Sequence, residues 1–273
     1  MGGVAVITDS STCIPSELAV RYGIRVLPIS VYAADLDGDE DGERLSVLEA
    51  VEHEELFGAS RPFVTEYLSA IEAPGCDAAV VITPAGEFAA MFRNATLATE
   101  LANRPAVVVD SRTAAAGQAL VVLAAAERAA GGGDLEAVVR ASEEASRRVE
   151  LVASLATLEP IRRSGPVPEA VLRASELSGT RSVFRMRDGA VEPLEAIASG
   201  DATLEAIAAA FRASAGPGVE RSTVFHAGAP RAASRLEELL GGVDFVCGFS
   251  PAMQVHTGAG VVGAAWIPRP ETP

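Results

Sequence analysis

Short apolar runs alternate with longer helical stretches through the first half of this 273-residue chain, and this alternation constrains the fold more than any other feature. The runs Val4–Thr8, Ala78–Ile82 and Ala106–Val109 are apolar almost throughout. Strands of this kind belong to parallel sheets, in which helices cover both faces and leave no polar side. The pattern therefore predicts an α/β fold with an amino-terminal three-layer α/β/α arrangement around a parallel sheet.

Local signals complete the amino-terminal half. Arg25–Tyr32 is a further predicted strand, and Pro15 and Gly23 are typical of the start and the end of a helix. Helices are predicted over residues 15–22, 87–101 and 134–148, and in an alanine-rich stretch that ends near residue 130.

The rhythm changes after about residue 150. Ser182–Met186 and Ala190–Leu194 flank Arg187-Asp188-Gly189, and a glycine turn between two such runs is typical of a β-hairpin. Alternating helices and strands follow to the end of the chain. The sequence therefore predicts a carboxy-terminal α/β domain with a mixed sheet, and domains that span residues 1–150 and 151–273.

The charge composition excludes several classes of function. Asp and Glu total 37 and the basic residues total 22, all of them arginine, so the net charge is −15 and lysine is absent. A Schiff-base lysine, a lysine general base and the lysine of a P-loop are therefore excluded. An acidic surface also repels nucleic-acid phosphates and anionic membranes, so no nucleic-acid partner is expected.

The sequence offers no metal ligand set, no cofactor motif and no targeting segment. Cys13, Cys76 and Cys247 are far apart and lack the spacing of a metal site, so they are predicted to be small apolar residues in a reducing compartment. The amino terminus lacks the pattern of a signal peptide, and no window reaches the ~18 apolar residues of a membrane span. We therefore expect a cytoplasmic protein without a transmembrane segment, a metal or a cofactor.

Small polar side chains stand where three of the predicted strands end. The three segments are Asp9-Ser10-Ser11-Thr12, Thr83-Pro84-Ala85-Gly86 and Asp110-Ser111. Ligands of open parallel sheets bind outside these carboxyl ends, and a following helix adds free backbone N–H groups for an anionic head. The alternative is that each segment only caps its own helix. The convergence of three such ends favours a ligand site, with Asp9 and Ser10 as candidate residues.

A second candidate site lies near the carboxyl terminus, where His256 and Thr257 precede a glycine-rich segment. Gly258, Gly260 and Gly263 match G-x-G-x-x-G, but the segment neither opens a helix nor leaves room for a βαβ unit. A nucleotide site is therefore excluded, and the glycines are assigned to a tight turn or to close approach of a ligand. We place His256 and Thr257 in a loop, where they either bind a ligand or are structural.

Several short segments, in their order and spacing, resemble the DegV family of bacterial fatty-acid-binding proteins. They are Ile7-Thr8-Asp9-Ser10-Ser11, Val26-Leu27-Pro28-Ile29-Ser30-Val31, Ser60-Arg61-Pro62, Val109-Asp110-Ser111, Ala156-Thr157-Leu158 with Arg162-Arg163-Ser164-Gly165, Asp188-Gly189 and His256-Thr257-Gly258-Ala259-Gly260. The resemblance implies a long acyl chain in an apolar tunnel between two domains, with its carboxylate hydrogen-bonded at the cleft between them. It also implies that the protein is not an enzyme and presents the fatty acid to a separate kinase.

The chain departs from the family pattern at the head group of the ligand. Ala59 stands where the family has a threonine, and residues 85–91, including Ala89, lack the hydroxyls of the family's serine-rich loop. Each lost hydroxyl removes about 1.5–3 kcal/mol of hydrogen bonding to a charged group. Arg61 can supply a charge-assisted contact in their place. The predicted ligand-binding residues are Asp9, Ser10, Ser60, Arg61, Ala89, His256, Thr257 and Gly258.

The acyl chain and the partner are assigned to other residues. An interior rich in alanine, valine and leucine suits an acyl chain, because each buried methylene contributes about 0.8 kcal/mol. The predicted tunnel lining is Phe88, Met91, Phe92 and Phe184, for which ordinary core packing is the alternative. Arg181 either docks the partner, as the resemblance implies, or offsets local acidity.

Two other functions remain open at this stage. The chain is an enzyme if Asp9, Ser10 and His256 form an acid–base set in the same cleft. Alternatively, it has kept the fold, lost fatty-acid binding, and binds another small ligand or a protein.

Overall fold

The computed structural model describes residues 3–29, 31–33, 57–59, 61–86, 90–155, 181–197, 200–216 and 218–270. Its strands are β1 (Gly3–Asp9), β2 (Arg25–Leu27), β3 (Val31–Ala33), β4 (Phe57–Ala59), β5 (Cys76–Thr83), β6 (Ala106–Asp110), β7 (Glu150–Leu155), β8 (Arg181–Arg187), β9 (Ala190–Ile197), β10 (Val219–His226), β11 (Phe245–Gly248) and β12 (Val262–Pro268). Its α-helices are α1 (Ser16–Tyr22), α2 (Val64–Glu72), α3 (Met91–Leu101), α4 (Ala115–Ala130), α5 (Leu135–Arg148), α6 (Asp201–Ser214), α7 (Pro230–Leu240) and α8 (Pro251–Thr257).

The strands form two large sheets and one small ladder. The first sheet has the order β2-β1-β5-β6, and all of its neighbours are parallel. The second has the order β11-β10-β12-β7-β8-β9, in which β10 and β11 are parallel and the other pairs are antiparallel. The predicted fold class, a parallel amino-terminal sheet and a mixed carboxy-terminal sheet, is confirmed.

The predicted strand Arg25–Tyr32 is wrong as a single element. The structure divides it into β2, which joins the parallel sheet, and β3, which pairs with β4 in an antiparallel ladder. Two features between them explain the break. Pro28 has no N–H to donate to a ladder, and the N–H of Ile29 donates instead to the Ser10 hydroxyl at 2.8 Å.

The largest apolar core surrounds α4, which lies between the two sheets. Its members include Val80 of β5, Leu151 of β7, Phe225 of β10 and Leu120 of α4, all of them buried. The helix can be apolar on nearly every side because it meets a sheet on two sides. The predicted division at residue 150 stays a prediction, because this core draws on residues from both sides of it.

Two smaller cores cover the outer faces of the sheets. Tyr67 and Ile71 of α2 pack with Ala95 of α3 on the outer face of the first sheet. Leu204 and Phe211 of α6 pack with α7 on the outer face of the second sheet. The layers therefore run helix, sheet, helix, sheet, helix.

The hairpin of β8 and β9 ties one sheet to the other. Asp188 and Gly189 form its turn, with φ values of 50° and 81°, as the sequence predicted. The N–H of Gly189 donates to the carbonyl of Arg112 at 2.9 Å, and the Arg112 guanidinium pairs with Asp188. Because Arg112 follows β6, this contact links the end of the first sheet to a turn of the second.

Replacing Gly263 by alanine should lower the free energy of unfolding by about 1–3 kcal/mol, because the added methyl overpacks the second sheet. A Cβ atom at Gly263 would lie 2.8 Å from both Ala153 Cβ and Val152 O and would clash with the ring of Phe225. Urea unfolding measures the change. Gly3→Ala is the matched control, since nothing lies within 4 Å of a Cβ there. Equal stability of the two variants would contradict the packing described.

Candidate functional site

The carboxyl ends of β1, β5 and β6 meet at one edge of the first sheet. The three strands are adjacent and parallel, and Thr83 at the end of β5 pairs with Asp110 at the end of β6. The expected convergence of these polar segments is therefore confirmed. Asp110 joins two of them directly, because its carboxylate accepts from Gly86 N at 3.2 Å and from Arg112 N at 2.7 Å.

The segment after β1 is a 3₁₀ turn, Ser10–Thr12, that Asp9 caps. The Asp9 carboxyl accepts from the Ser11 backbone N–H at 2.9 Å and contacts the Ser11 hydroxyl. The Thr12 hydroxyl donates to the Asp9 carbonyl at 3.0 Å. Asp9 is completely buried, and burial raises the pKa of its carboxyl. Asp9 therefore performs the capping role that the sequence left open, and Ser10 holds Ile29.

Two of the predicted site residues, Arg61 and His256, are close enough to interact electrostatically. Helix α8 packs against β4, and Arg61 follows β4 before α2 begins. Burial lowers the pKa of His256, and the positive charge of Arg61 lowers it further. His256 is therefore a neutral imidazole at neutral pH, with an exposed guanidinium near it.

The placement of His256 and Thr257 in a loop is wrong, because both end helix α8. The signal for this helix is local: Ser250 accepts from Met253 N at 3.4 Å, and Pro251 follows at the first helical position. The Thr257 hydroxyl donates within the helix to Met253 O at 2.8 Å. Its remaining capacity toward a ligand is that of an acceptor.

The glycine-rich segment is a tight turn between α8 and β12. Gly258 and Gly260 have φ values of 78° and 83°, which favour glycine. The N–H of Gly260 donates to Ala227 O at 2.7 Å, which holds the turn against the end of β10. The segment follows a helix and enters a strand, so it has the opposite order to a nucleotide-binding motif.

Several predicted site residues lie outside the part of the chain that the structure describes. These are Ser60, Phe88 and Ala89, and the side chain of Arg181. Of the other residues assigned to the tunnel, Met91 is buried on α3, Phe92 is half-buried beside Gly86, and Phe184 packs against the core around α4. Their role as tunnel lining stays a prediction.

Sequence reasoning missed two buried polar residues beside Asp9. Gln118 of α4 is completely buried and donates to the Thr8 hydroxyl at 3.0 Å and to Ile82 O at 3.2 Å. The Tyr67 hydroxyl is buried and has no hydrogen-bond partner among the described residues. A polar residue inside an alanine-rich helix was the available signal for Gln118.

The other described histidine, His226, makes a hydrogen bond within the chain, and the three cysteines are not in disulfides. The Nδ1 atom of His226 accepts from Ala229 N at 3.2 Å, and burial lowers its pKa. Cys13, Cys76 and Cys247 are free thiols. Within the described ranges no group of three or more His, Cys, Asp or Glu residues could hold a metal ion. No helix there has the length and apolar character to cross a membrane.

Two solved structures resemble this fold over nearly its whole length. A DegV family protein from Thermus thermophilus, reported for its fatty acid binding, is 26% identical, with a TM-score of 0.82 over 98% of this chain and 100% of that one. DegV from Bacillus subtilis, described as a fatty acid binding protein, is 23% identical, with a TM-score of 0.83 over 98% of this chain and 100% of that one. The second likeness shows the fold alone.

Sequence comparison assigns the family. A DegV domain-containing protein of Streptomyces coelicolor is 30% identical over 275 residues, which cover 95% of this chain and 96% of that protein. The family model described as uncharacterised proteins of the DegV family matches residues 3–269. The chain therefore belongs to the DegV family.

Proposed function

We propose that this protein binds a long-chain fatty acid without catalysing its conversion, with the carboxylate held beside Arg61 and His256. The observation that carries the proposal is the electrostatic interaction of these two side chains, one shortly before α2 and one at the end of α8. A guanidinium donates charge-assisted hydrogen bonds to a carboxylate, and a neutral imidazole adds a further donor. The fatty acid binding reported for the Thermus thermophilus relative supports the ligand class.

The head-group site in this proposal is rebuilt from the family pattern. Ala59 and the segment 85–91 lack the hydroxyls that the family places there, and two such losses weaken carboxylate binding unless another group compensates. Arg61 is exposed and stands two residues after Ala59. We therefore assign compensation to the arginine, with Ser60 and the acceptor Thr257 at the same end of the ligand.

Arg61→Ala should weaken the binding of oleic acid about 10- to 150-fold, the equivalent of about 1.5–3 kcal/mol for a hydrogen bond to a charged group. Titration with oleic acid, followed by calorimetry, measures the affinity. Arg140→Ala is the matched control, because it removes an equal charge from an exposed position on α5 that pairs only with Glu136 among the described residues. Equal affinities of the two variants would rule out Arg61 as the head-group residue.

Presentation of the carboxylate to a separate kinase is the second part of the proposal. The exposure of Arg61 favours it, since this end of the ligand would face outward. With ATP and an added fatty acid kinase, the protein loaded with oleic acid should yield an acyl phosphate that hydroxylamine traps as a hydroxamate. Product from the loaded protein and ATP without a kinase would instead support the enzyme alternative. In the described part of the chain, His256 makes no hydrogen bond with Asp9 or Ser10. The structure therefore does not favour an enzyme that uses these three residues as an acid–base set.

Mass spectrometry of the extracted ligand distinguishes the third possibility. A fatty acid in protein purified from cells supports the carrier function. Protein that purifies empty and fails to bind oleic acid has kept the fold and lost the ligand, as the missing hydroxyls at 59 and 85–91 would allow.

A further inference from the structure

The Ser11 hydroxyl lies between two oxygen atoms that both accept hydrogen bonds. One is Oδ1 of Asp9, which it contacts closely, and the other is Oε1 of Gln118 at 3.1 Å. A hydroxyl carries one proton and can donate to only one of them. If Asp9 were a carboxylate, the second contact would join two oxygen atoms with no proton between them.

The orientation of the Gln118 amide is fixed by its other neighbours. Its nitrogen lies 3.2 Å from Ile82 O, which can only accept. It lies 3.0 Å from the Thr8 hydroxyl, whose own proton goes to Ile82 O at 2.9 Å. Rotating the amide would place its oxygen against Ile82 O and against Oδ2 of Asp9, which lies 3.5 Å from the present nitrogen. Oε1 of Gln118 therefore faces Ser11 and needs the proton of the Ser11 hydroxyl.

We propose that Asp9 is held as a neutral carboxylic acid, whose proton completes a chain from Asp9 Oδ1 to the Ser11 hydroxyl and from there to Gln118. Each donor in this chain then has one acceptor, and each acceptor is satisfied. The Ser11 backbone N–H still donates to a lone pair of Oδ1. The inference rests on the hydrogen-bond geometry and is independent of the proposed fatty-acid function.

The surroundings of Asp9 are consistent with an uncharged group. The side chain has no solvent exposure, and isolated charges are costly to bury. Among the residues that the structure describes, Cys13, after the turn, and Tyr67, on α2, are the titratable groups that interact with it electrostatically. Helix α4 contributes the uncharged Gln118, which also contacts Ile82 O of β5. Cys13 and Tyr67 are neutral or anionic, so neither could compensate a carboxylate.

The proton makes Asp9 a positioning residue for the edge of the sheet. The neutral acid fixes the Ser10–Thr12 turn, and Ser10 in turn fixes Ile29, from which the chain enters the β3–β4 ladder. That ladder packs against α8, which carries His256. Ionisation of Asp9 would remove the proton that it donates to the Ser11 hydroxyl and would disturb the Ser10–Thr12 turn.

Infrared difference spectroscopy tests the protonation state directly. A protonated carboxyl group has a carbonyl stretch that ionised carboxylates lack, and at neutral pH the wild-type spectrum minus that of Asp9→Asn should show this band. Asp134→Asn is the control, because Asp134 is an exposed helix cap that accepts from Ala137 N at 2.9 Å. Absence of the band from the Asp9 difference overturns the proposal. If Asp9→Asn does not fold, the band is sought in wild-type protein labelled at aspartate carboxyls, where labelling must shift it.

The pH dependence of stability supplies a second test, because the protonated and the ionised states of Asp9 predict opposite changes of stability with pH. When the pKa of Asp9 is higher in the folded state than its ordinary value of about 3.9, protonated Asp9 contributes its full stabilisation of the folded state below pH 3.9. This stabilisation is lost as the pH rises through the folded-state pKa. The folding constant of wild type relative to Asp9→Asn should therefore fall with increasing pH, by up to about tenfold per pH unit. A ratio that rises with pH would show that Asp9 is ionised in the native state.

Discussion

Trp266→Ala should lower the free energy of unfolding by about 3–5 kcal/mol, the range for removing a buried aromatic side chain. Trp266 lies on β12 with no solvent exposure. Its ring meets Phe211 of α6 edge to face, with centroids 5.1 Å apart, and its Nε1 atom donates to the Ser214 hydroxyl at 2.9 Å. The substitution therefore removes packing on the outer face of the second sheet together with a hydrogen bond.

Circular dichroism during guanidinium unfolding is the appropriate measurement, because Trp266 is the only tryptophan of the chain and its fluorescence disappears with it. Trp266→Phe separates the two contributions, since it keeps most of the ring volume and loses the Nε1 donor. We expect Trp266→Phe to be less destabilising than Trp266→Ala. A loss below about 1 kcal/mol for the alanine variant would contradict complete burial.

Leu120→Ala should lower the free energy of unfolding by about 2–5 kcal/mol, because it leaves a cavity in the core around α4. Leu120 is completely buried in the core that contains residues of both sheets. A cavity here removes contacts from both sheets at once, so both should be destabilised together. Urea unfolding followed by circular dichroism and by Trp266 fluorescence, which reports the second sheet, should give coincident transitions.

Leu101→Ala is the matched control for this variant. Leu101 ends α3 with 63% of its surface exposed, so the same deletion should change stability by less than about 0.5 kcal/mol. Separate transitions by the two probes in Leu120→Ala would show that the sheets unfold independently. That result would contradict a core shared through α4.

The regular elements were predictable where the signal is local. Asp134 caps α5 by accepting from Ala137 N, and Gly23 ends α1 with a φ of 63°. The turn at Asp188 and Gly189 is set by two residues with positive φ. In each case one or two residues decide the backbone conformation, so a single sequence is sufficient to place the boundary.

The failures involve contacts between distant residues or a short element. The break after β2 depends on the Ser10 hydroxyl, 19 residues away, which takes the N–H of Ile29. Helix α8 spans seven residues and is separated from β11 by two residues, so its cap at Ser250 was the main signal. Short helices depend on packing more than on propensity, and α8 packs on β4.

In the candidate site, too, local sequence signals could be recognised, whereas contacts between distant residues could not. Arg61 was chosen because its guanidinium can replace hydroxyls that the family pattern has and this chain lacks, and His256 because it precedes a glycine-rich segment. Their electrostatic interaction arises only when β4 meets α8. Gln118 was missed because its partners Thr8 and Ile82 are 110 and 36 residues away. Hydrogen-bond networks of this kind have no period in the sequence, so they become visible only in three dimensions.

The contact between Arg112 and the turn at Asp188 and Gly189 affects the route by which a bound ligand could enter and leave. Separating the two sheets would break this contact and expose both sides of α4 to water. The free-energy cost would be roughly 25 cal/mol for every square ångström of apolar surface exposed. Displacing helix α8 would expose less of it, because Met253 is the one residue of that helix in this core. A ligand buried beside α4 would therefore exchange at a lower free-energy cost past α8 than between the two sheets.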